Sequence, residues 1–91
     1  MGIVRERWRG EHAGHVIEVE YDNLVKTFTL FVDGREAGKE SRILPRDITL
    51  TTTLAASDGN HTVTARSTSS FPFENATVTV DDQPLPLEKT K

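Results

Sequence analysis

An all-β fold, a small antiparallel β-sandwich of about seven to eight short strands, is predicted by three features of this 91-residue chain. Apolar and polar residues alternate with a period of two along most of it, and no stretch carries the 3.6-residue period of an amphipathic helix. Threonine, valine and aromatic residues recur, which suits a pleated, half-buried surface. Turn signals return at short intervals, as in a sandwich or barrel.

Ile3 to Arg9 reads as the first strand, with Val4 and Trp8 on one face, and Glu11 to Gly14 as the turn after it. His15 to Asp22 is the second strand, with Ile17, Val19 and Tyr21 inward and Glu18 and Glu20 outward. Asn23-Leu24 turns the chain into Val25 to Val32, where Phe28, Leu30 and Val32 face inward. Asp33-Gly34 is a two-residue hairpin signal, because both central positions of a type I′ turn need positive φ. The return strand, Arg35 to Arg42, is charged and interrupted by Gly38, the composition of an edge or bulged strand.

Pro45 marks a bend before Asp47 to Ala56, whose Ile48, Leu50 and Leu54 oppose Thr49, Thr51 and Thr53 across the strand. Ser57-Asp58-Gly59-Asn60 is a second hairpin turn, followed by His61 to Ser67 with Val63 and Ala65 inward. Thr68 to Ser70 reads as a small polar loop, and Phe71-Pro72-Phe73 leads into Glu74 to Val80, with Ala76, Val78 and Val80 inward. Asp81-Asp82 turns the chain into Gln83 to Leu87, which Pro84 and Pro86 confine to an edge or an extended strap. One sandwich domain over 1–87 and a flexible tail over 88–91 complete the expected organisation.

The chain also repeats itself. Gly14-His15-x-Ile17-x-Val19 is matched by Gly59-Asn60-His61-x-Val63-x-Ala65, and Phe28-x-Leu30-x-Val32-Asp33 by Ala76-x-Val78-x-Val80-Asp81. His15 to His61 is 46 positions and Asp33 to Asp81 is 48, a difference that a two-residue insertion absorbs. A half of this size cannot bury its own apolar face, so the two halves are expected to pack on each other.

Length and charge narrow the function classes. A chain this short has little room for a deep catalytic cavity. It has no cysteine, which removes disulfides and thiolate metal sites. The absence of a signal-like apolar run and of a span of about 20 apolar residues makes a cytoplasmic protein without membrane association the expectation. The net charge is −3. Nucleic-acid binding needs a cationic field, and the only basic cluster, Arg5, Arg7 and Arg9, is interrupted by Glu6 and reads as a solvated strand face.

The segments Gly14-His15-Val16-Ile17-Glu18-Val19-Glu20, the strand ending Val32-Asp33-Gly34-Arg35-Glu36, and Phe71-Pro72-Phe73-Glu74, with Trp8 ahead of them, resemble the Fas apoptotic inhibitory molecule domain. The resemblance runs from Trp8 to Leu87. It implies an antiparallel β-sandwich that works in protein–protein interaction and brings no catalytic residues with it. The chain departs from the family in its Arg35-to-Arg42 and Asp47-to-Ala56 strands, and it has half the length of the two-domain members.

Few residues carry chemistry. His12, His15 and His61, with Asp58, are metal-ligand types, but zinc needs three or four convergent ligands and no further one is suggested. Ser57, Asp58 and His61 have the composition of a hydrolase triad within a single hairpin, which offers no oxyanion hole. Glu18 and Glu20 read as two solvated charges. Pro84-Leu85-Pro86 reads as a structural strap. The aromatic side chains Trp8, Phe31, Phe71 and Phe73 are the candidate binding residues, and Phe31 falls on the face opposite Phe28, Leu30 and Val32. The expectation is a non-catalytic protein-interaction module, without cofactor or metal, that recognises a protein partner, itself as a homodimer included, through its surface. A small-ligand or carbohydrate-binding sandwich is the alternative.

Overall fold

A computed structural model describes residues 5–22, 26–41, 47–70 and 73–90. Among these residues nine strands follow one another: β1 (Arg5–His12), β2 (His15–Asp22), β3 (Thr27–Val32), β4 (Arg35–Ser41), β5 (Ile48–Ala56), β6 (Gly59–Ser70), β7 (Phe73–Val80), β8 (Gln83–Pro84) and β9 (Glu88–Lys89). They form two antiparallel sheets, β4-β3-β2-β1-β9 and β5-β6-β7-β8. The all-β sandwich expected from the alternation is the observed fold. β1 to β4 form one sheet and β5 to β8 the other, each as a simple meander, so the two sequence halves are the two layers except that β9 crosses back to β1.

The inward residues of both layers make one core. Ile17, Val19, Tyr21, Phe28 and Leu30 come from the first sheet, and Ile48, Leu50, Leu54, Val63, Ala65, Val78 and Val80 from the second. The equivalent positions of the repeat match in burial: Ile17 and Val63 are fully buried, as are Leu30 at 0% and Val78 at 2% exposure. Register explains this, since Ile17 lies opposite Val32 and Val19 opposite Leu30, while Val63 lies opposite Val80 and Ala65 opposite Val78.

The turns follow their residue types. Asp33 and Gly34 have φ of 52° and 81°, the two positive angles of a type I′ turn, and Asp81-Asp82 (51° and 66°) and Ala13-Gly14 (51° and 81°) do the same. The first hairpin is therefore tighter than the expected Glu11-to-Gly14 turn, and β1 continues through Glu11 to His12, which pairs with His15. β4 is an edge strand with a bulge opposite Leu30 and Phe31, as its charge and glycine suggested.

Two expectations near the C-terminal half change. Thr68 to Ser70 is strand, not loop, because its backbone pairs with Asn75, Glu74 and Phe73 of β7. Glu88 and Lys89, expected in a flexible tail, pair with Arg9 and Trp8 at the edge of the first sheet, and Thr90 N–H donates to the Arg7 carbonyl at 2.8 Å. The segment between β8 and β9 is the expected strap. It crosses to β1 over Gly10, where a Cβ would lie 2.8 Å from the Pro86 carbonyl oxygen and 3.0 Å from Leu85. The expected positions of Ile3, Val4, the Asn23-Leu24 turn, Val25, Arg42, the Pro45 bend and Phe71-Pro72 lie outside the described residues.

Candidate functional site: the β5 sheet edge and a histidine clasp

The candidate aromatic residues are not brought together. Trp8 stands in a row with Val19 and Leu30 and packs partly buried against the core. It lines a shallow cleft of about 540 Å3 with Val78, Pro84, Leu85 and Leu87, and the Lys89 ammonium lies 5.8 Å from its ring centre. Phe31 lies on the other face of the same sheet, in the row of Arg9 and Glu18. The Arg7 guanidinium covers its ring at 5.0 Å. The side chains of Phe71 and Phe73 lie outside the described residues.

Glu18 and Glu20 share that outer face, as alternation required, and both meet Arg7. Arg7 is 3.1 Å from Glu20 and 3.7 Å from Glu18, and Arg5 is 3.1 Å from Asp22. The face is a lattice of cross-strand ion pairs over a capped aromatic ring. Such half-exposed pairs contribute little stability each, but they neutralise Arg5 and Arg7 locally.

The histidines gather at one end of the sandwich, and sequence reasoning missed what they do. In the first sheet the Asp33 carboxylate accepts from the Val16 N–H at 2.8 Å and from His15 Nδ1 at 2.6 Å, and the Asp33 N–H donates to the Val16 carbonyl at 2.8 Å. In the second sheet the Asp81 carboxylate accepts from the Thr62 N–H at 2.8 Å and from His61 Nδ1 at 2.5 Å, and the Asp81 N–H donates to the Thr62 carbonyl at 2.8 Å. The same His–Asp clasp thus closes the equivalent turn in each half. The repeated His and Asp of the sequence are its two signals.

His61 has a second carboxylate partner, Asp58, at 2.9 Å from Nε2. An ionised carboxylate only accepts, so both imidazole nitrogens donate. Hydrogen bonding to Asp81 first, and then to Asp58, raises the His61 pKa above 6.5. The same bonds from His61 hold Asp81 and Asp58 below 3.8, and the bond from His15 does so for Asp33. His12 meets the His61 ring edge-on at 5.3 Å, joining the two sheets at this end. While both nitrogens donate in this way, neither offers a lone pair to a metal or a further proton. Among the described residues, no three His, Cys, Asp or Glu side chains form a metal-holding group.

The sheet edges differ sharply. β4 carries Arg35, Glu36, Lys39 and Glu40 with a bulge. β8 contains Pro84, and β9 is two charged residues long. These are the usual ways of blunting an edge. β5 has none of them: nine residues, Ile-Thr-Leu-Thr-Thr-Thr-Leu-Ala-Ala, with no charge, proline or glycine, paired without a bulge to β6. Among the described residues β5 has no other strand partner.

Which backbone groups of β5 point away from β6 follows from one hydrogen bond. The Asp81 N–H bonds the Thr62 carbonyl, so Thr62, Thr64 and Arg66 turn their backbone groups toward β7 and His61, Val63, Ala65 and Ser67 turn theirs toward β5. Their partners, Leu54, Thr52, Leu50 and Ile48, face β6 in return. Thr49, Thr51, Thr53 and Ala55 therefore direct N–H and C=O away from the sheet, and all four are exposed. Beside this edge a cleft of about 520 Å3 runs between β4 and β5, lined by Asp33, Arg35, Glu36, Ala37, Thr52 and Thr53.

Comparison with known proteins finds no matching family model, curated protein or solved structure.

Proposed function

We propose that this chain is a non-catalytic protein-interaction module that takes an extended protein segment along the outer edge of β5. One observation carries the reading: among the described residues three sheet edges are blunted by charge, bulge, proline or shortness, and the fourth, β5, presents a charge-free row of outward N–H and C=O groups. An added strand satisfies those groups by main-chain hydrogen bonds, and side chains flanking the edge select the sequence. The cleft beside it, with Arg35 and Glu36, supplies a polar rim. An interaction role also agrees with the resemblance to the Fas apoptotic inhibitory molecule domain.

The test is selection of a displayed library of nine-residue peptides on the immobilised chain. The reading expects enriched peptides rich in β-formers that bind the native protein and lose binding to Thr51→Pro. Proline is tolerated at that position because the Thr51 N–H makes no bond to β6, and circular dichroism confirms the fold. Thr51→Lys serves as a second blocking variant. Enriched peptides that bind both folded variants as well as the native chain, or no enrichment, overturn the reading.

The Trp8 cleft supports a second reading, a small-ligand or carbohydrate site in which a sugar face stacks on the indole beside Leu85 and Leu87. Saturable quenching of Trp8 fluorescence by a sugar panel tests it, and no response at any sugar removes it.

A further inference from the structure

We infer that a second copy of this chain occupies the β5 edge, antiparallel to it, about a two-fold axis through Thr52. The inference rests on the reading of β5 as the working edge and adds the identity of one occupant.

The order of residues in β5 points to self-pairing. Around Thr52 the strand reads Leu-Thr-Thr-Thr-Leu, the same in both directions from residue 50 to residue 54. A two-fold interface is self-complementary: if residue i meets residue j, then j meets i. With the axis at Thr52, Leu50 meets Leu54, Thr51 meets Thr53, and Thr49 meets Ala55, each twice. Leucine meets leucine on the inner face, and next to the axis threonine meets threonine on the outer face. The inward leucines, 8% and 2% exposed in the single chain, extend the apolar layer across the junction. The outward threonines form a cross-strand ladder.

The backbone agrees with this register. In an antiparallel pair the residues directly opposite either exchange hydrogen bonds or do not. Thr51 and Thr53 both present outward N–H and C=O groups, as do Thr49 and Ala55, so each predicted pair is a bonding pair. Any register that opposes an outward residue to a β6-facing one is forbidden by the same geometry. The outcome is a continuous eight-stranded sheet, β8-β7-β6-β5 joined to its two-fold mate.

Charge does not prevent the approach. β5 has no ionisable residue, and among the described residues Asp47, just before it, and Arg66, opposite Thr49 on β6, are paired with each other at 2.6 Å. One strand edge buries a small interface, so the dimer is expected to be weak and to depend on concentration.

The experiment is sedimentation velocity on the full chain from a few micromolar to about 1 mM, a range that reaches affinities of only a few kcal/mol. Two double variants at the exposed positions fix the register. Thr51→Lys with Thr53→Lys sets lysine against lysine twice, and Thr51→Lys with Thr53→Asp sets lysine against aspartate twice. We expect a dimer that builds with concentration, is at least about tenfold weaker in the first variant and is close to native in the second. A chain that stays monomeric to about 1 mM, or a dimer indifferent to both variants, overturns the inference, and equal weakening of both overturns the axis at Thr52. A monomeric chain that still binds library peptides through Thr51 overturns self-pairing while leaving the proposed function standing. Circular dichroism on each variant separates loss of pairing from loss of fold.

Discussion

Replacing Gly10 by alanine tests how the C-terminal strap is seated. Gly10 is buried in β1 beneath Leu85 and Pro86. An alanine methyl there would stand 2.8 Å from the Pro86 carbonyl oxygen and 3.0 and 3.1 Å from Leu85 carbons. Ordinary contact begins near 3.4 Å, so the strap backbone has to retreat by roughly half an ångström. It is held on both sides: the Leu85 N–H donates to the Val78 carbonyl at 2.8 Å, and the next strand, β9, pairs with β1 itself. Overpacking of this kind costs about 1–3 kcal/mol, and the loss of glycine freedom in the unfolded chain returns about 0.4–1 kcal/mol. At mid-values, about 2 less about 0.7 kcal/mol, the net is a destabilisation of about 1.3 kcal/mol. For a domain of this size that is a fall in Tm of roughly 5–10 °C, read by thermal circular dichroism. Trp8 fluorescence should shift as well, because Trp8 shares its cleft with Leu85 and Leu87. An unchanged or raised Tm with an unchanged Trp8 spectrum would refute the packing of the strap on Gly10.

Two further outcomes are expected. Gly34→Val should lower stability by about 1 kcal/mol or more, since a β-branched residue resists the φ of 81° found there; denaturant unfolding measures it, and an unaltered midpoint contradicts the turn. The His61 clasp makes stability depend on pH from both sides. Because the pKa of His61 is raised, its contribution is full below pH 6.5 and disappears as pH rises through the higher folded value, while Asp33, Asp58 and Asp81, with lowered values, contribute above pH 3.8 and lose that contribution as pH falls. Tm against pH should therefore decline on the alkaline side of 6.5, and His61→Asn should flatten that limb; an alkaline limb unchanged in the variant refutes the assignment.

Much of the fold was legible because alternation fixes which side of a strand is buried, and Asp33-Gly34 allows few backbone conformations. The repeat was legible for the same reason, as the shared burial of Ile17, Val63, Leu30 and Val78 shows. Other features depend on partners that a single segment does not name. Thr68 to Ser70 has the composition of a loop and becomes strand because β7 is long enough to pair with it. Glu88 and Lys89 look like a frayed end and become strand because the prolines before them lead the chain across to β1. His15 and His61 were visible as repeated residues, but their bonds to Asp33 and Asp81 follow from strand register. β5 showed its threonine face in the sequence, yet its place at the edge follows from the order of the whole sheet. What the sequence did contain was the lack of charge and proline over Ile48 to Ala56, a signal that gains meaning once that order is known.

The most direct measurement of the central claim is amide hydrogen exchange along β5, residue by residue, by NMR. In dilute solution Leu50, Thr52 and Leu54, bonded to β6, should be protected, while Thr49, Thr51, Thr53 and Ala55 exchange close to the free rate. Raising the protein concentration, or adding a library-selected peptide, should slow the second set. Equal protection of both sets in dilute solution, or an outward set that exchanges freely under every one of these conditions, would contradict the account.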